Sequence, residues 1–450
     1  MIMMDAQEVL ARLESDGIDH LWVIFHDYSG RSCTKTVPKD KFADIFKNGV
    51  VFARADLDFN LEDHMAPGSM FTADTGDFLA VPDPNSYAVI PYRERTALMY
   101  AFMRDDDGAP WEACPRTQLE RMVEVYATKG LSVRAAFESE FILFEPTDDG
   151  EYRPAATDGM FTVAGLDRHY SLCRLIIESL HGMSVSVEQL GKEYGPGQYE
   201  ATTHYDEPTK AADDFCTFKE VVRALARDAG WVASFMPKPY VDMPGSGLHV
   251  HLSVWDAEGR RELSMGEGEE DPLSPLGRNF LGGLLAHAAA LTAIGAPLVN
   301  SYKRLLPGTW APAHICWGVG NRAALVRIPS MSRRRHMEFR SADCACNPFI
   351  FLTALMAAGL DGIRSQIEPP PPVDYDVGTI STREEAEARA IEFLPRSLPE
   401  ALQALEADEV VARALGSMVL SEFLKVKRSE LAAYNLHVHP WERKMYLEAI

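Results

Sequence analysis

One stretch, residues 135–145 with the sequence AAFESEFILFE, constrains the fold of this chain more than any other. Glu138 and Glu140 stand two residues apart, so a β-strand turns both carboxylates to the same face. Taken alone, such a pair also fits an exposed sheet face. Phe137, Phe141 and their apolar neighbours instead predict a strand that is largely buried, where unpaired carboxylates are costly. The stretch therefore predicts a core strand whose acids need partners.

Three other stretches supply chemistry of the same kind, VEQLGKEYGPGQYEATTHY, GSGLHVHLSVW and HMEFRSADCACNP. Their polar positions surround a Pro-Gly turn or alternate along a strand, and they are Glu188, Glu193, Glu200, His249, His251, Ser253, Glu338 and Arg340. Buried acids with histidine suit hard divalent cations. Each stretch alone is a weak signal, and together they predict one metal-binding assembly.

Arginines add a site for phosphate, and the candidates are Arg304, Arg322, Arg327 and Arg340. Planar guanidinium groups bind phosphate oxygens through paired hydrogen bonds. Acids that hold a metal, and arginines that neutralise a transferring phosphoryl group, predict phosphoryl transfer. The chain has no GxxxxGK[ST] sequence, so we expect this chemistry without a P-loop.

Bulk composition narrows the partners and the compartment. The 450 residues carry a net charge of −22, which argues against general binding to nucleic acid or to anionic membranes. Seven scattered cysteines without a CxxC pair are typical of a reducing cytoplasm. The longest apolar stretch, LGGLLAHAAALTAIGAPLV, contains a histidine, glycines and a proline, so we predict a buried helix and no membrane span.

The order of elements predicts an α+β protein of two domains. Residues 5–15 fit an amphipathic helix, and residues 20–38 fit a hairpin that turns at Tyr28-Ser29-Gly30. Short strands follow, so we assign a sheet-rich domain to residues 1–105. A polar linker leads to a helix that begins at Pro115 and ends before Gly130. Strands and helices then mix through a second domain, residues 106–450.

The chain resembles the type I branch of the glutamine synthetase superfamily over essentially its whole length. Six segments match family signatures in family order: ESEF, KEYGPGQYE, GSGLHVHLSVW, NSYKRLLPG, NRAALVRIP and MEFRSADCACNP. The resemblance implies an N-terminal β-grasp domain and a catalytic domain of curved antiparallel sheet with surrounding helices. It also implies a homododecamer of two stacked six-membered rings, with active sites between neighbouring subunits.

The resemblance implies roles for individual residues. One metal would be held by Glu140, Glu193 and Glu200, and the other by Glu138, His249 and Glu338. The positions that match nucleotide contacts are Glu188, Tyr205, His251 and Ser253, and those that match phosphate contacts are Arg322 and Arg327. Arg304 and Arg340, with Gly245 beside them, match residues that hold glutamate carboxylates. ATP is implied as co-substrate, with two or more Mg²⁺ or Mn²⁺ ions per site.

Two departures from the family change the expected substrate. The family's glutamate after KRLxPG, which binds ammonium, is replaced by Trp310, and a second acid supplied by a neighbouring subunit is replaced by Ala53. An indole suits the carbon substituent of an organic amine. TWAP and GNR also resemble the γ-glutamylmethylamide synthetase and related γ-glutamyl-amine ligase branch. Asp56 and Asp58, in the altered N-terminal segment, are candidates to remove the proton from the amine, with ordinary exposed loop acids as the alternative.

We therefore predict an ATP-dependent ligase that joins the γ-carboxylate of glutamate to an organic amine through a γ-glutamyl phosphate. One alternative is a glutamine synthetase that uses ammonium at a rearranged site. Another is a catalytically silent scaffold or regulator, against which the intact set of acids and arginines argues. Trp310 could also simply pack its loop, and Pro244, where the family has an asparagine, leaves a relative of glutamate open as the acid substrate.

Overall fold

Period-2 patterns in the chain form two principal sheets in the computed structural model, which describes residues 4–266, 272–330 and 336–450. The strands are β1 (His20–His26), β2 (Ser32–Pro38), β3 (Val50–Ala53), β4 (Asp77–Pro82), β5 (Ala88–Val89), β6 (Thr96–Arg104), β7 (Leu131–Pro146), β8 (Tyr152–Pro154), β9 (Val187–Lys192), β10 (Gln198–Thr203), β11 (Val232–Ser234), β12 (Leu248–Asp256), β13 (His314–Ile315), β14 (Trp317–Val319), β15 (Val326–Ile328), β16 (Met337–Phe339) and β17 (Glu392–Phe393).

The helices surround these sheets and make up most of the C-terminal hundred residues. They are α1 (Ala6–Ser15), α2 (Phe42–Asn48), α3 (Pro115–Ala127), α4 (Val163–Arg168), α5 (Tyr170–Gly182), α6 (Pro208–Asp228), α7 (Pro275–Ala286), α8 (Ala288–Gly295), α9 (Pro348–Ser365), α10 (Arg383–Glu387), α11 (Leu398–Ala407), α12 (Glu409–Leu415), α13 (Ser417–Leu436) and α14 (Pro440–Tyr446). The predicted α+β class is confirmed.

The N-terminal sheet has the order β2-β1-β6-β4-β3, with β5 beside β6. The predicted hairpin is present, because β1 and β2 pair antiparallel from His20↔Pro38 to His26↔Ser32. Strands β1 and β6 run parallel at the centre of the sheet. Phe25, Phe52 and Phe78 pack edge-on or stacked in its core. The division of the chain into domains at residue 105 stays a prediction.

The larger sheet has the order β14-β15-β16-β12-β7-β10-β9, with β8 and β11 also pairing with β7. Its central strand, β7, is the acid-bearing stretch that the sequence singled out. Phe137 and Phe141 point away from the acids and pack on Phe215 and Phe218 of α6, with ring centroids 4.9 and 6.0 Å apart. One face of the sheet is therefore core, and the other is free to carry polar chemistry.

The long apolar stretch near residue 287 forms two buried helices, which corrects the prediction of one. Helix α7 ends at Ala286 and α8 begins at Ala288, with His287 as the shared terminal residue. The His287 side chain interrupts the apolar run because it bonds Asp408 at 2.6 Å and Asp361 at 3.3 Å. No helix in the described part of the chain is long and apolar enough to cross a membrane.

Candidate active site

Strand register assembles the acids of the site on one face of the larger sheet. Residues that face each other across neighbouring strands are Glu200 and Glu140 on β10 and β7, His249 and Glu138 on β12 and β7, and Arg327 and Glu338 on β15 and β16. Opposed side chains on one face lie close together. Four stretches that are distant in sequence therefore meet in a single cluster, as the sequence predicted.

The first group of metal-type ligands is Glu138, His249 and Glu338. Their ligand atoms all lie within 4.8 Å of one another. His249 Nδ1 is 2.5 Å from Glu138 Oε1 and 3.5 Å from Glu338 Oε1. Burial opposes ionisation of Glu138, but hydrogen bonds from His249 and His251 hold its pKa well below the ordinary value. Glu138 is consequently an anion ready to bind a cation.

The second group is Glu140, Glu200 and His249, whose ligand atoms also lie within 4.8 Å of one another. Glu140 Oε2 accepts two hydrogen bonds of 2.8 Å, from Gln198 Nε2 and from the backbone N–H of Gly247. Those donors fix the direction of the carboxylate. The group differs from the predicted trio in one member, since Glu193 lines the adjacent cavity but does not belong to this group.

The two groups fit divalent cations by their electrostatics as well as by ligand type. Burial and the repulsion of Glu138, Glu140 and Glu193 raise the pKa of Glu200 to about 10. Burial and the charges of Glu140 and Glu138 also raise the pKa of Glu193. So many carboxylates cannot all ionise together without positive charge between them. Oxygen-rich clusters of this kind suit Mg²⁺ or Mn²⁺.

Two arginines hold Glu338 from the side opposite the acids. Arg327 Nη1 donates to Glu338 Oε2 at 2.7 Å, and Arg340 Nη1 donates to Glu338 Oε1. Burial alone would favour the neutral acid, but the charge of Arg340 lowers the pKa of Glu338 to about 2. Arg340 Nε also donates to the carbonyl of Arg322 at 3.1 Å. The carboxylate of Glu338 thus links the cluster of acids to the two arginines.

A cavity of about 1170 Å³ opens over this face of the sheet. All six positions predicted to contact the nucleotide or its phosphates line it: Glu188, Tyr205, His251, Ser253, Arg322 and Arg327. Four of the predicted metal ligands line it as well: Glu138, Glu193, Glu200 and Glu338. The structure thus brings these residues to one chamber, while their contacts with ligands stay predictions.

The residues predicted to bind glutamate lie behind the cavity wall. Gly245, Arg304 and Arg340 are not among its lining residues. The Arg304 side chain is buried and donates to the backbone carbonyls of Arg340, Ser341 and Ala342 at 3.0–3.1 Å. Arg304 therefore has a structural role that the sequence did not predict. Its predicted contact with a substrate carboxylate stays a prediction.

Trp310 and Asp56, predicted for the amine side, stand apart from the cavity. Trp310 is 74% exposed on the loop after the 3₁₀ turn Val299–Lys303. Backbone contacts hold that loop, including Gly308 N–H to the carbonyl of Gly378 at 2.8 Å. Asp56 lies in a 3₁₀ turn at the end of β3, where burial raises its pKa.

Arg134, Trp255 and His336 are among the residues of the cavity wall that the sequence did not single out. The alternation that selected His249, His251 and Ser253 continues to Trp255, and the one that selected Glu138 reaches back to Arg134. Extending the first pattern by one step and the second by two would have found both. The Trp255 ring stacks near Tyr205, with ring centroids 6.1 Å apart. His336 faces His251 across 2.7 Å, and the alternation of Glu338 and Arg340, extended back by one step, reaches it.

Comparison with known proteins fits this geometry. The catalytic domain of glutamine synthetase matches residues 112–446. The chain belongs to the glutamine synthetase family, and with it to the ATP-dependent C–N ligases that use divalent metal ions. Membership of this family supports ATP-dependent γ-glutamyl ligation as the reaction of this chain.

Particular relatives cover nearly the whole chain. It is 36% identical over 447 residues to a glutamine synthetase of Halobacterium salinarum, covering 98% of this chain and 96% of the relative. It is 33% identical to a glutamine synthetase of Thermotoga maritima, covering 97% and 98%. Among solved structures, GmaS in complex with ADP has a TM-score of 0.87 at 34% identity, covering 98% of this chain and 99% of that one. GmaS without ligand has a TM-score of 0.85, also at 34% identity, with the same coverage.

Proposed function

We propose that this protein joins the γ-carboxylate of glutamate to an organic amine, converting ATP to ADP and phosphate and releasing a γ-glutamylamide. The proposal refines the family's γ-glutamyl ligation by naming the nucleophile. It assigns the protein to amine and nitrogen metabolism in the cytoplasm.

One observation carries the choice of amine over ammonium. The loop that in the family presents an ammonium-binding glutamate presents Trp310 here, and the stretch KRLLPGTWAPAHIC contains no acid. The indole is 74% exposed, so it does not serve as core packing within its own chain. Covering about 50–100 Å² of a small alkyl group at ~25 cal/mol per Å² contributes roughly 1–2.5 kcal/mol, which ammonium cannot gain.

The neighbouring segment supports the same choice. Ala53 stands where the family has its second ammonium acid, and Arg54, which follows it, is already engaged. Arg54 Nη2 contacts Asp105 Oδ1 at 2.6 Å, and its guanidinium lies over the Trp111 ring. The segment therefore offers no carboxylate at position 53 to concentrate a small cation. Asp56 is the proposed group that accepts the amine proton.

In the proposed reaction, one set of residues would activate the carboxylate of glutamate, and another set would bind the amine. Mg²⁺ or Mn²⁺, held by Glu138, His249 and Glu338 and by Glu140, Glu193 and Glu200, would supply charge neutralisation at the phosphate oxygens. Arg322 and Arg327 would bind the transferring phosphoryl group, and Arg304 and Arg340 with Gly245 would orient glutamate. The γ-carboxylate attacks ATP, and the amine then displaces phosphate from the γ-glutamyl phosphate.

The remaining nucleotide contacts follow from the cavity wall. Glu188, Tyr205, His251 and Ser253 would hold the nucleotide, with the aromatic pair Tyr205 and Trp255 offering a flat apolar surface.

We also propose that the protein works as a homo-oligomer of two stacked hexameric rings. The C-terminal end of the chain supports assembly, because its apolar side chains are exposed in the single chain: Leu436, Val438, Trp441, Leu447 and Ile450. Contiguous exposed apolar surface usually marks an interface. Sedimentation or scattering in solution tests the number of subunits.

The test of function compares kcat/KM for ammonium, methylamine and larger amines in the wild type and in Trp310→Ala. We expect the wild type to use an organic amine far better than ammonium. The alanine variant should lose roughly 5- to 70-fold in kcat/KM for that amine, with glutamate-dependent formation of the acyl phosphate almost unchanged. Tyr170→Ala, which removes another exposed aromatic ring from α5, is the matched control.

The competing function is that of a glutamine synthetase, the name carried by the curated relatives. A wild type that prefers ammonium would favour this alternative. If the wild type and Trp310→Ala use the amine equally well, the indole is not part of the amine site.

A further inference from the structure

A buried pair of carboxyl groups lies outside the cavity, where residues 56–71 meet helix α13. Asp58 and Glu422 are both 0% exposed, and they are in hydrogen-bonding contact with each other. Oδ1 of Asp58 is buried and accepts no hydrogen bond from any donor among the described residues. Two buried carboxylates this close cannot both ionise readily, because burial weakens the solvent screening of their repulsion.

The groups around the pair decide which member keeps the proton. Lys425 Nζ binds Glu422 Oε1 at 2.7 Å, and the backbone N–H of Met70 binds Glu422 Oε2 at 3.0 Å. Asp58 has no cation of its own and accepts one hydrogen bond, from Ser69. Glu422 is therefore the better-stabilised anion, and a proton on Asp58 supplies the donor that the pair lacks.

Other titratable groups near the pair do not change this balance. Tyr28, on the turn after β1, donates its hydroxyl proton to the carbonyl of Ala113 at 2.8 Å, and burial raises its pKa. Cys114, at the start of α3, lies beyond Tyr28. Burial and the contact with Glu422 raise the pKa of Asp58 to about 8, whereas the contact with Lys425 lowers that of Glu422 despite burial.

We propose that Asp58 and Glu422 share one proton, and that this shared proton fastens residues 58–71 to helix α13. Asp58 is then a positioning residue for the amine side, because the fastened segment directly follows Ala53 and Asp56. This second statement rests on the proposed function, whereas the shared proton does not.

Helix α13 is well placed to hold the amine side in position. Asn60 Nδ2 donates to Ser429 Oγ at 3.4 Å, and Ser429 follows Glu422 on the same helix. At the end of the same helix, Lys303 Nζ lies 5.7 Å from the centre of the Tyr434 ring, just before the loop of Trp310. The helix thus contacts the segment that follows Asp56 and the residue that precedes the loop of Trp310.

The shared proton makes the fastening depend on pH with a definite sign. The folded pKa of Asp58 is raised, so its contribution to stability is complete below its unfolded pKa, near 4. That contribution is lost as pH rises toward the folded pKa of about 8. The folded state holds one more proton than the open state across this window, so opening becomes up to roughly tenfold easier per pH unit.

Hydrogen exchange on the intact oligomer measures the fastening directly. The amides of Met70 and Phe71 are the probes, because they donate to Glu422 and to Ser69. In the wild type we expect their protection to fall by more than about tenfold between roughly pH 5 and pH 8. Asp58→Asn keeps a donor toward Glu422, so its protection should not depend on pH after correction for intrinsic rates.

Two further variants complete the experiment. Asp58→Ala should lose protection at every pH, because it removes the donor altogether. Asp74→Asn changes an exposed acid of the following turn and should behave like the wild type. The proposal of a shared proton is overturned if protection in the wild type does not depend on pH. It is also overturned if Asp58→Asn behaves like Asp58→Ala.

Kinetics then test the positioning role separately. Asp58→Ala should raise KM for the amine several-fold and leave KM for ATP unchanged, and Asp58→Asn should restore the amine KM. An unchanged amine KM in an alanine variant that has lost protection overturns the positioning role. A wild type without amine activity overturns the proposed function alone, since the exchange measurement does not depend on it.

Discussion

The phosphate side and the amine side of the site are built in different ways. The acids and arginines of the phosphate side stand on paired strands, where Glu140 and Glu338 each accept two hydrogen bonds or ion pairs from the protein. Trp310 stands on an exposed loop, and Ala53 ends an edge strand of the other sheet. Under the proposed function, phosphoryl transfer relies on side chains held by paired strands, whereas the choice of nucleophile falls to segments at the edge and surface of the fold.

The largest effect is expected at the buried acids of the two metal-type groups, here one acid from each group. Glu338→Gln and Glu140→Gln should each strongly reduce ligation, because a neutral amide oxygen holds a divalent cation more weakly than a carboxylate does. Glutamine keeps the shape of the side chain, so the variants should remain folded. The measurement is phosphate release, with the size of the assembly checked in parallel.

Glu145→Gln is the matched control, since this acid lies on the same strand and pairs with Arg153 at the far end. If folded Glu338→Gln turns over at a near-normal rate, the assignment of Glu338 as a metal ligand is wrong.

A smaller but still large effect is expected for Arg340→Lys. The lysine keeps the charge but cannot bond Glu338 and the carbonyl of Arg322 together, as the planar guanidinium does. Losing one charge-assisted hydrogen bond of about 1.5–3 kcal/mol corresponds to a loss on the order of 10- to 150-fold in kcat/KM. Steady-state kinetics with varied glutamate measure it, and wild-type behaviour would show that the fork is dispensable.

The difference between the phosphate side and the amine side can be tested by restoring the family's acids on the amine side. Trp310→Glu alone should change kcat/KM for ammonium by no more than about twofold, because position 53 still lacks an acid. The double variant Ala53→Asp, Trp310→Glu should raise it on the order of tenfold, since two carboxylates attract a small cation better than one. If the double variant also gains nothing, the loops do not determine the nucleophile.

The smallest effect is expected in the helical layer behind the sheet. His287 bridges Asp408 and Asp361, and despite burial these partners raise its pKa. His287→Asn should therefore lower the free energy of unfolding by about 1 kcal/mol near pH 6. The loss should shrink as pH rises through the raised pKa, because the wild-type histidine is then neutral as well. Denaturant midpoints at about pH 6 and about pH 9 measure this difference.

Sequence reasoning recovered what alternation encodes. The acids of β7 and the histidines of β12 share a face because side chains alternate along a strand, and that rule needs no knowledge of the fold. The same rule reaches Trp255 one step beyond Ser253 and Arg134 two steps before Glu138. The hairpin of β1 and β2 and the start of α3 at Pro115 also follow from local signals.

What the sequence did not reveal depends on contacts between distant segments. The hydrogen bonds of Arg304 to the carbonyls of residues 340–342 require two segments that no local pattern connects. The contact of Asp58 with Glu422 spans more than 350 residues, and either acid alone resembles an ordinary surface residue. The break at His287 arises from Asp408 and Asp361, which the apolar stretch does not announce.

The register of β7 limits how genes of this kind can change. Strand β7 pairs with β12 over nine consecutive residue pairs and with β10 on its other side. Inserting or deleting one codon within it would turn Glu138 and Glu140 into the core and Phe137 and Phe141 into the cavity. Length variation should therefore be absent from this strand, while loops such as that of Trp310 tolerate it. New nucleophiles can then be acquired by exchanging loops, without altering the phosphate chemistry.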